Sequence, residues 1–343
     1  MRPEERLARR GGWEECLRAP ALLFGAAVRL RRSAYDWGLL PRTHLSVPVL
    51  SIGNLSAGGT GKTPLAIWAT RQLQQRGLRP GLLSRGYRAL DAGGNDEARL
   101  FAQACPTVPH VQDRRRARGA RALLARGANA ILLDDGFQHR KLARSQDWVL
   151  IDALRPWGLP REGQSGASLR ALLPRGLLRE PLSSLRRADA IVITRSDQIP
   201  PAWLAELERE LEAAAPGIGR LHGVHRARAL IDAEGRDLGL ERLGGRRVRL
   251  LSAIGNPQAF ERTVEALGAR IEEHRRFADH HAYTEADLRA LPQDGLPLVV
   301  TDKDAVKLAP LGLSCWRVSV AFEITQGAVL AEALLDTLAG AQP

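Results

Sequence analysis

Eight consecutive residues, Ser56-Ala-Gly-Gly-Thr-Gly-Lys-Thr63, constrain this chain more than any others. They follow a short apolar run, Val47-Pro-Val-Leu-Ser-Ile-Gly53, and lead into a helix-forming stretch from Lys62 to about Arg76. In a strand, glycine-rich turn and helix taken in that order, backbone N–H groups and the positive helix end wrap a phosphate. The spacing is that of GxxxxGK[ST], with Ser56 in place of the first glycine. Gly58, Gly59 and Gly61 free the backbone to turn its N–H groups inward. Lys62 is placed to bridge the β- and γ-phosphates, and the Thr63 hydroxyl to bind Mg²⁺. Ser56, Ala57, Thr60 and the rest of the loop are expected to line the nucleotide. Ala57 occupies the position where partitioning-type ATPases carry an extra lysine, which disfavours that subclass.

Such a loop needs a parallel sheet, and the chain supplies one. Apolar runs at Pro80–Ser84, Ala128–Leu133, Trp148–Ile151 and Ala190–Thr194 are separated by Arg- and Ala-rich helical segments such as Arg114–Arg126. Near-continuous apolar strands alternating with helices mark a sheet covered on both faces. The fold class expected is α/β: a P-loop, doubly wound parallel sheet over 46–225. The alternation resumes at Arg247–Ser252, Pro257–Leu267, Pro297–Thr301 and Asp302–Leu308. This predicts a second, smaller α/β domain over 226–325, with Arg226–Gly245 as a linker or ribbon. Residues 326–343 close as a helix. Residues 1–45, with nine arginines against five acids, predict an amphipathic helix from Trp13 to Leu30, kinked at Pro20. That helix either docks on a domain or lies on a membrane surface.

Charge bears on partners. Fifty basic and 38 acidic residues give +12, and all but Lys62, Lys141, Lys303 and Lys307 of the basic residues are arginines. The excess points to an anionic partner: nucleic acid, a phosphorylated ligand or an acidic membrane face. With only 5% aromatic residues, few rings are available to stack bases, so nucleic acid is not expected. Cys16, Cys105 and Cys315 form no paired motif, which suits a reducing compartment. No apolar run reaches the ~18–20 residues that span a bilayer, and the start lacks the pattern of a signal peptide. His274, His280 and His281 lack metal-ligand spacing, and His222 and His225 have no partner cluster, so zinc is not supported. No obligate protein partner is evident.

The run Ile131-Leu-Leu-Asp-Asp-Gly-Phe-Gln-His139 is the second phosphate-site element. An apolar strand ending in acids is where such an enzyme places its Mg²⁺ carboxylate. Asp134 and Asp135 point to opposite faces if the strand persists, so one of them is expected to hold the metal directly.

Together, Ser51–Pro64, Ser84-Arg-Gly-Tyr87 and Asp134-Asp-Gly-Phe-Gln-His139 resemble the tetraacyldisaccharide 4′-kinase family. The likeness continues through Leu172-Leu-Pro174, Leu178-Arg-Glu-Pro181, Gly255-Asn-Pro257, Phe277-Ala-Asp-His-His281 and Thr301-Asp-Lys-Asp-Ala-Val-Lys-Leu308. The resemblance implies transfer of the ATP γ-phosphate to the 4′-hydroxyl of a tetraacylated glucosamine disaccharide 1-phosphate, forming a lipid A precursor. It implies Mg²⁺, and peripheral attachment to the anionic cytoplasmic face of the inner membrane. By position it assigns Asp96 and His280 as the catalytic acid–histidine pair, and Glu97, Asp134 and Asp135 with Thr63 to the metal. Arg85, Gln138 and His139 fall inside its blocks as further site residues. Asn95, Arg88, Leu177 and Asp302 depart from its usual pattern. With Asp96 and His280 assigned to different domains, the pair is expected to form on domain closure. The competing readings are a nucleic-acid-dependent NTPase and a non-enzymatic nucleotide switch, and neither requires the Asp96 and His280 blocks.

Overall fold

A computed structural model describes residues 3–8, 12–86, 96–161, 168–292 and 294–341. Tyr87, Arg88 and Asn95 lie outside the described residues. The chain begins with helices α1 (Pro3–Ala8) and α2 (Arg18–Asp36), then β1 (Val49–Asn54), α3 (Lys62–Gln75) and β2 (Pro80–Ser84). It continues with α4 (Asp96–Ala104), β3 (His110–Gln112), α5 (Arg116–Ala125), β4 (Ala130–Asp134), β5 (Gln146–Asp152) and β6 (Ala190–Thr194). Helix α6 (Pro201–Ala214), β7 (Gly219–Ile231), β8 (Arg247–Ser252), α7 (Pro257–Ala266) and β9 (Arg270–Arg276) follow. The last elements are α8 (Glu285–Arg289), β10 (Leu298–Thr301), α9 (Asp302–Leu308), β11 (Trp316–Gln326) and α10 (Ala328–Gly340).

The chain divides into two compact units. The first comprises Met1–Gly86, Thr107–Val224 and Ile324–Pro343; the second comprises Tyr87–Pro106 and His225–Glu323. In the first unit the strand order is β3-β2-β4-β1-β5-β6-β7. Its neighbours pair in parallel, with Ile52 of β1 opposite Asp134 on one side and Trp148 on the other. The central strands are apolar because both faces are covered: Leu50, Ile52, Ile131, Leu132, Leu133 and Ile191 are all buried. Parallel pairing carries all the strands' C-terminal ends to one edge, and in open α/β sheets that edge is where ligands bind.

The second unit repeats the rule on a smaller scale. Its order is β11-β10-β8-β9, again parallel across β11–β10, β10–β8 and β8–β9. Val248, Leu250, Phe260, Val264 and Val299 form one core cluster; Leu251, Tyr283, Val300 and Leu308 form another under the C-terminal edge.

Two expectations are corrected, and one left open is resolved. Residues 87–106 belong to the second unit, because α4 packs against α9, with Phe101 fully buried. Asp96 therefore shares a unit with His280. The segment expected as a linker or ribbon takes the ribbon form where it begins: it is the far half of β7, a neighbour of β11, and its Leu230 is buried despite the arginines before it. Pro20 does not kink the first long helix. It sits in the first turn of α2, where its missing N–H has no intrahelical partner to lose.

Candidate functional site

Strand β1 delivers the glycine-rich loop to the C-terminal edge of the first unit's sheet. Gly58 and Gly61 have φ of 110° and 89°, values a side chain resists, so the loop shape requires glycine at both. Ser56 has no positive φ, which is why it is tolerated where the pattern has glycine. It is buried and bridged antiparallel to Leu178. The Ala57 N–H donates to the Leu177 carbonyl at 2.8 Å, and Arg179 N–H to the Leu55 carbonyl at 2.7 Å. Inside the loop, Asn54 Nδ2 donates to Thr60 Oγ1 at 3.1 Å and Thr194 Oγ1 to the Thr60 carbonyl at 3.0 Å. Gly59 is flanked by Arg195, which pairs with buried Asp152 at 2.6 Å. These bonds within the protein brace the loop's shape.

Strand β4 ends at Asp134, and the next residue leaves the strand. Asp135 has φ of 51°, so the alternation of faces expected for the pair does not apply. Its carboxylate lies 3.6 Å from Lys62 Nζ and 2.9 Å from Arg179 Nη1. Burial pushes this carboxyl up, but the Lys62 and Arg179 charges outweigh it and hold it down at about 2. Gln138 Nε2 donates to the Asn54 carbonyl at 2.8 Å, joining the post-β4 turn to the loop's root. Half-buried His139 is pushed down to about 4 by burial and by Arg116, Arg144, Arg31 and Lys141, so at neutral pH it is an uncharged imidazole. Arg85 directly follows β2; burial chiefly lowers the pKa of the Arg116 guanidinium, and the Arg85 charge adds to that. The oxygen donors here, the Thr63 hydroxyl and the Asp134 and Asp135 carboxylates, are of the hard type that suits Mg²⁺ shared with phosphates. Glu97, also expected near the metal, stands in the second unit, 3.8 Å from Lys303.

In the second unit, α4 opens with Asp96 almost fully buried. His280 Nδ1 lies 3.2 Å from both Asp96 oxygens, across 184 residues of sequence. Burial alone would raise the Asp96 carboxyl. The hydrogen bond from His280 and the Lys303 charge override it and hold Asp96 well below the usual carboxylate range. His280 itself has φ of 62°, with its N–H donated to the Ala253 carbonyl at 3.3 Å. The ordinary task of a loop histidine near a helix start falls to its neighbour. His281 bonds Asp287 at 3.0 Å, and Asp287 completes the capping box with Thr284. A Ser252–His274–Glu261 chain nearby has the connectivity of a nucleophilic triad, but Ser252 is wholly buried, so no substrate carbonyl can reach it.

Sequence reasoning had not assigned Arg179, Arg195, Asp152, Asp279 or Lys303 to a site. Arg179, Asp279 and Lys303 lie inside quoted blocks, which was a usable signal. Nothing local marked Asp152 or Arg195.

A glycine-rich loop after a central parallel strand, with a lysine opening the helix and acids ending the adjacent strand, places this chain among the P-loop phosphotransferases. The finer assignment comes from comparison. The family model for tetraacyldisaccharide-1-P 4′-kinase matches residues 13–339, and the chain belongs to that family. It is 42% identical to the tetraacyldisaccharide 4′-kinase of Anaeromyxobacter dehalogenans (strain 2CP-1), over 93% of this chain and 89% of that one. With the enzyme of that name from Syntrophus aciditrophicus it shares 36% identity over 85% and 83%. Among solved structures, the "apo" form of the Aquifex aeolicus family member in complex with ATP superposes with a TM-score of 0.72 at 27% identity, covering 95% of this chain and 99% of that one. As a family member the chain is an ATP-dependent kinase of lipid A biosynthesis, acting on a lipid disaccharide.

Proposed function

We propose that the chain transfers the ATP γ-phosphate to the 4′-hydroxyl of a tetraacylated glucosamine disaccharide 1-phosphate, with Asp96 and His280 activating the acceptor. The observation that carries this reading is the Asp96–His280 contact. An ionised Asp96 accepts the Nδ1–H of His280. That fixes the tautomer and leaves the Nε2 lone pair to take the proton of a sugar hydroxyl. Lys62 and Arg179 supply positive charge to the transferring phosphoryl group, which spreads its charge over peripheral oxygens. Asp135 holds both cations in place until a nucleotide competes for them. Thr63, with Asp134 or Asp135, would hold Mg²⁺, which when bound neutralises the β- and γ-phosphates. The test is incubation with ATP, Mg²⁺ and the tetraacyl disaccharide 1-phosphate, followed by mass and phosphorus NMR. One added phosphate on the 4′-oxygen is expected, and addition elsewhere or none would overturn the assignment.

We further infer attachment to the anionic cytoplasmic face of the inner membrane. Among the described residues no helix is long and apolar enough to cross a membrane. Yet Leu22, Leu23 and Leu30 of α2, with Trp13, Trp37 and Leu39 beside it, are exposed among arginines. The other side of α2 is anchored: Tyr35 is buried beneath Arg140, Arg42 and Arg31, and Arg140 bonds Asp36 at 2.7 Å. A helix held by one side with leucines and arginines on the other suits an interface of acyl chains and anionic headgroups. Leu23→Glu with Leu30→Glu should weaken binding to anionic vesicles about tenfold; unchanged flotation would remove the membrane assignment.

A further inference from the structure

In the block Thr301–Leu308, three polar side chains of α9 converge on the pair proposed to activate the acceptor. Asp304, wholly buried, accepts from the Ala253 N–H at 3.0 Å and from the Tyr283 hydroxyl at 3.0 Å. Lys307 pairs with Asp304 at 2.9 Å and donates to the Ala253 carbonyl at 3.2 Å. That same carbonyl receives the His280 N–H. These two side chains therefore hold the backbone on which His280 rests. Lys303 acts on side chains instead. Its Nζ lies 3.3 Å from Asp279 Oδ1, 3.5 Å from Asp96 Oδ2 and 3.8 Å from Glu97 Oε1.

Those distances matter because of what brackets the imidazole. Asp96 sits at Nδ1, while Asp279 Oδ2 stands 3.7 Å from Nε2, the nitrogen that must meet the sugar hydroxyl. We propose that Lys303 is a positioning residue for the kinase reaction: it ties down the two carboxylates flanking His280, keeping Asp96 on Nδ1 and holding Asp279 back from Nε2. Without the cation, three carboxylates on α4 and the 277–281 loop repel one another in a half-buried setting, where repulsion is weakly screened. Asp96 then swings off Nδ1, and Asp279 is freed to bond Nε2 and occupy the base. The aliphatic stem alone could not do this, so a neutral side chain of similar length separates charge from packing.

This inference rests on the Asp96–His280 reading, and its test separates the two. Kinetics on vesicle-presented acceptor should show Lys303→Met lowering kcat about 30- to 100-fold, with KM for ATP within about twofold. Lys303→Arg, which restores the cation, should recover most of that loss. In a His280→Ala background, Lys303→Met should cost less than about threefold more, since both changes disable one device. Multiplicative losses in the double variant, or wild-type kcat in Lys303→Met, would overturn the role of Lys303. Wild-type kcat in His280→Ala alone would instead overturn the underlying pair. Fluorescent-ATP titration reports folding of each variant; should Lys303→Met fail it, Lys303→Gln takes its place under the same criteria.

Discussion

In the first unit the phosphate loop is made of main chain, whereas the site proposed in the second is made of side chains that meet only after folding. The phosphate loop spans eight neighbouring residues, and its geometry is written in Gly58 and Gly61. The cluster proposed to activate the acceptor gathers Asp96, Asp279, His280 and Lys303 from α4, a loop and α9. Both lie at the C-terminal edge of a parallel sheet, so one topological rule positions two different chemistries. A main-chain cradle tolerates side-chain drift, as Ser56 and Ala57 show, whereas a side-chain cluster fails with any one member.

The comparison breaks most sharply at Lys62. Lys62→Ala should lower kcat by about 10³-fold or more, because it removes a charge at the transferring phosphate and frees Asp135 to repel it; a loss under tenfold would show that the main chain alone suffices. Next come Asp96→Ala and His280→Ala, each expected to cost about 10²- to 10³-fold in kcat with ATP binding intact. If either weakened ATP binding as much as kcat, the separation of roles between the units would fail.

The smallest effect concerns acid. Burial pushes His110 in the first unit down to about 4, as it does His139 with help from surrounding cations. The unfolded chain binds these protons near 6.5 while the folded chain refuses them until about 4. Stability present above 6.5 is therefore lost as pH falls toward 4. In the second unit burial raises the Asp302 carboxyl, while other carboxylates are held low: Asp287 to about 2, chiefly by His281, and Asp96 well below the usual carboxylate range. The contribution of those held low is present above about 4 and disappears only below it. Hydrogen exchange at pH 5 should show faster opening in the first unit alone, and His110→Gln should blunt it; equal acceleration in both would contradict the assignment.

What could be read from the sequence follows the same division. Strands β1, β2, β4 and β6 were visible because a doubly covered strand is apolar throughout. Strands β3 and β9 were not, since β3 is three residues long and β9, Arg270–Arg276, has five charged residues. The phosphate loop was legible as spacing, and the family blocks supplied Asp96 and His280. Their partnership within a single unit was hidden, because only the packing of α4 on α9 reveals it. Lys303 stood in a quoted block without a role, since a charge network leaves no periodicity to detect.

Asp135, Arg195 and His280 are the described non-glycine residues with positive φ, and each lies in one of the two sites. Each holds a backbone shape that glycine would adopt at roughly 1 kcal/mol less cost. Glycine at these positions would relieve that strain but remove the Lys62–Asp135, Arg195–Asp152 and His280–Asp96 contacts. Asp152 and Asp96 would be left buried without those partners, so the strain is held in place by the pairs it makes possible. A library that keeps all three fixed and diversifies around them separates the search for robustness from the loss of catalysis.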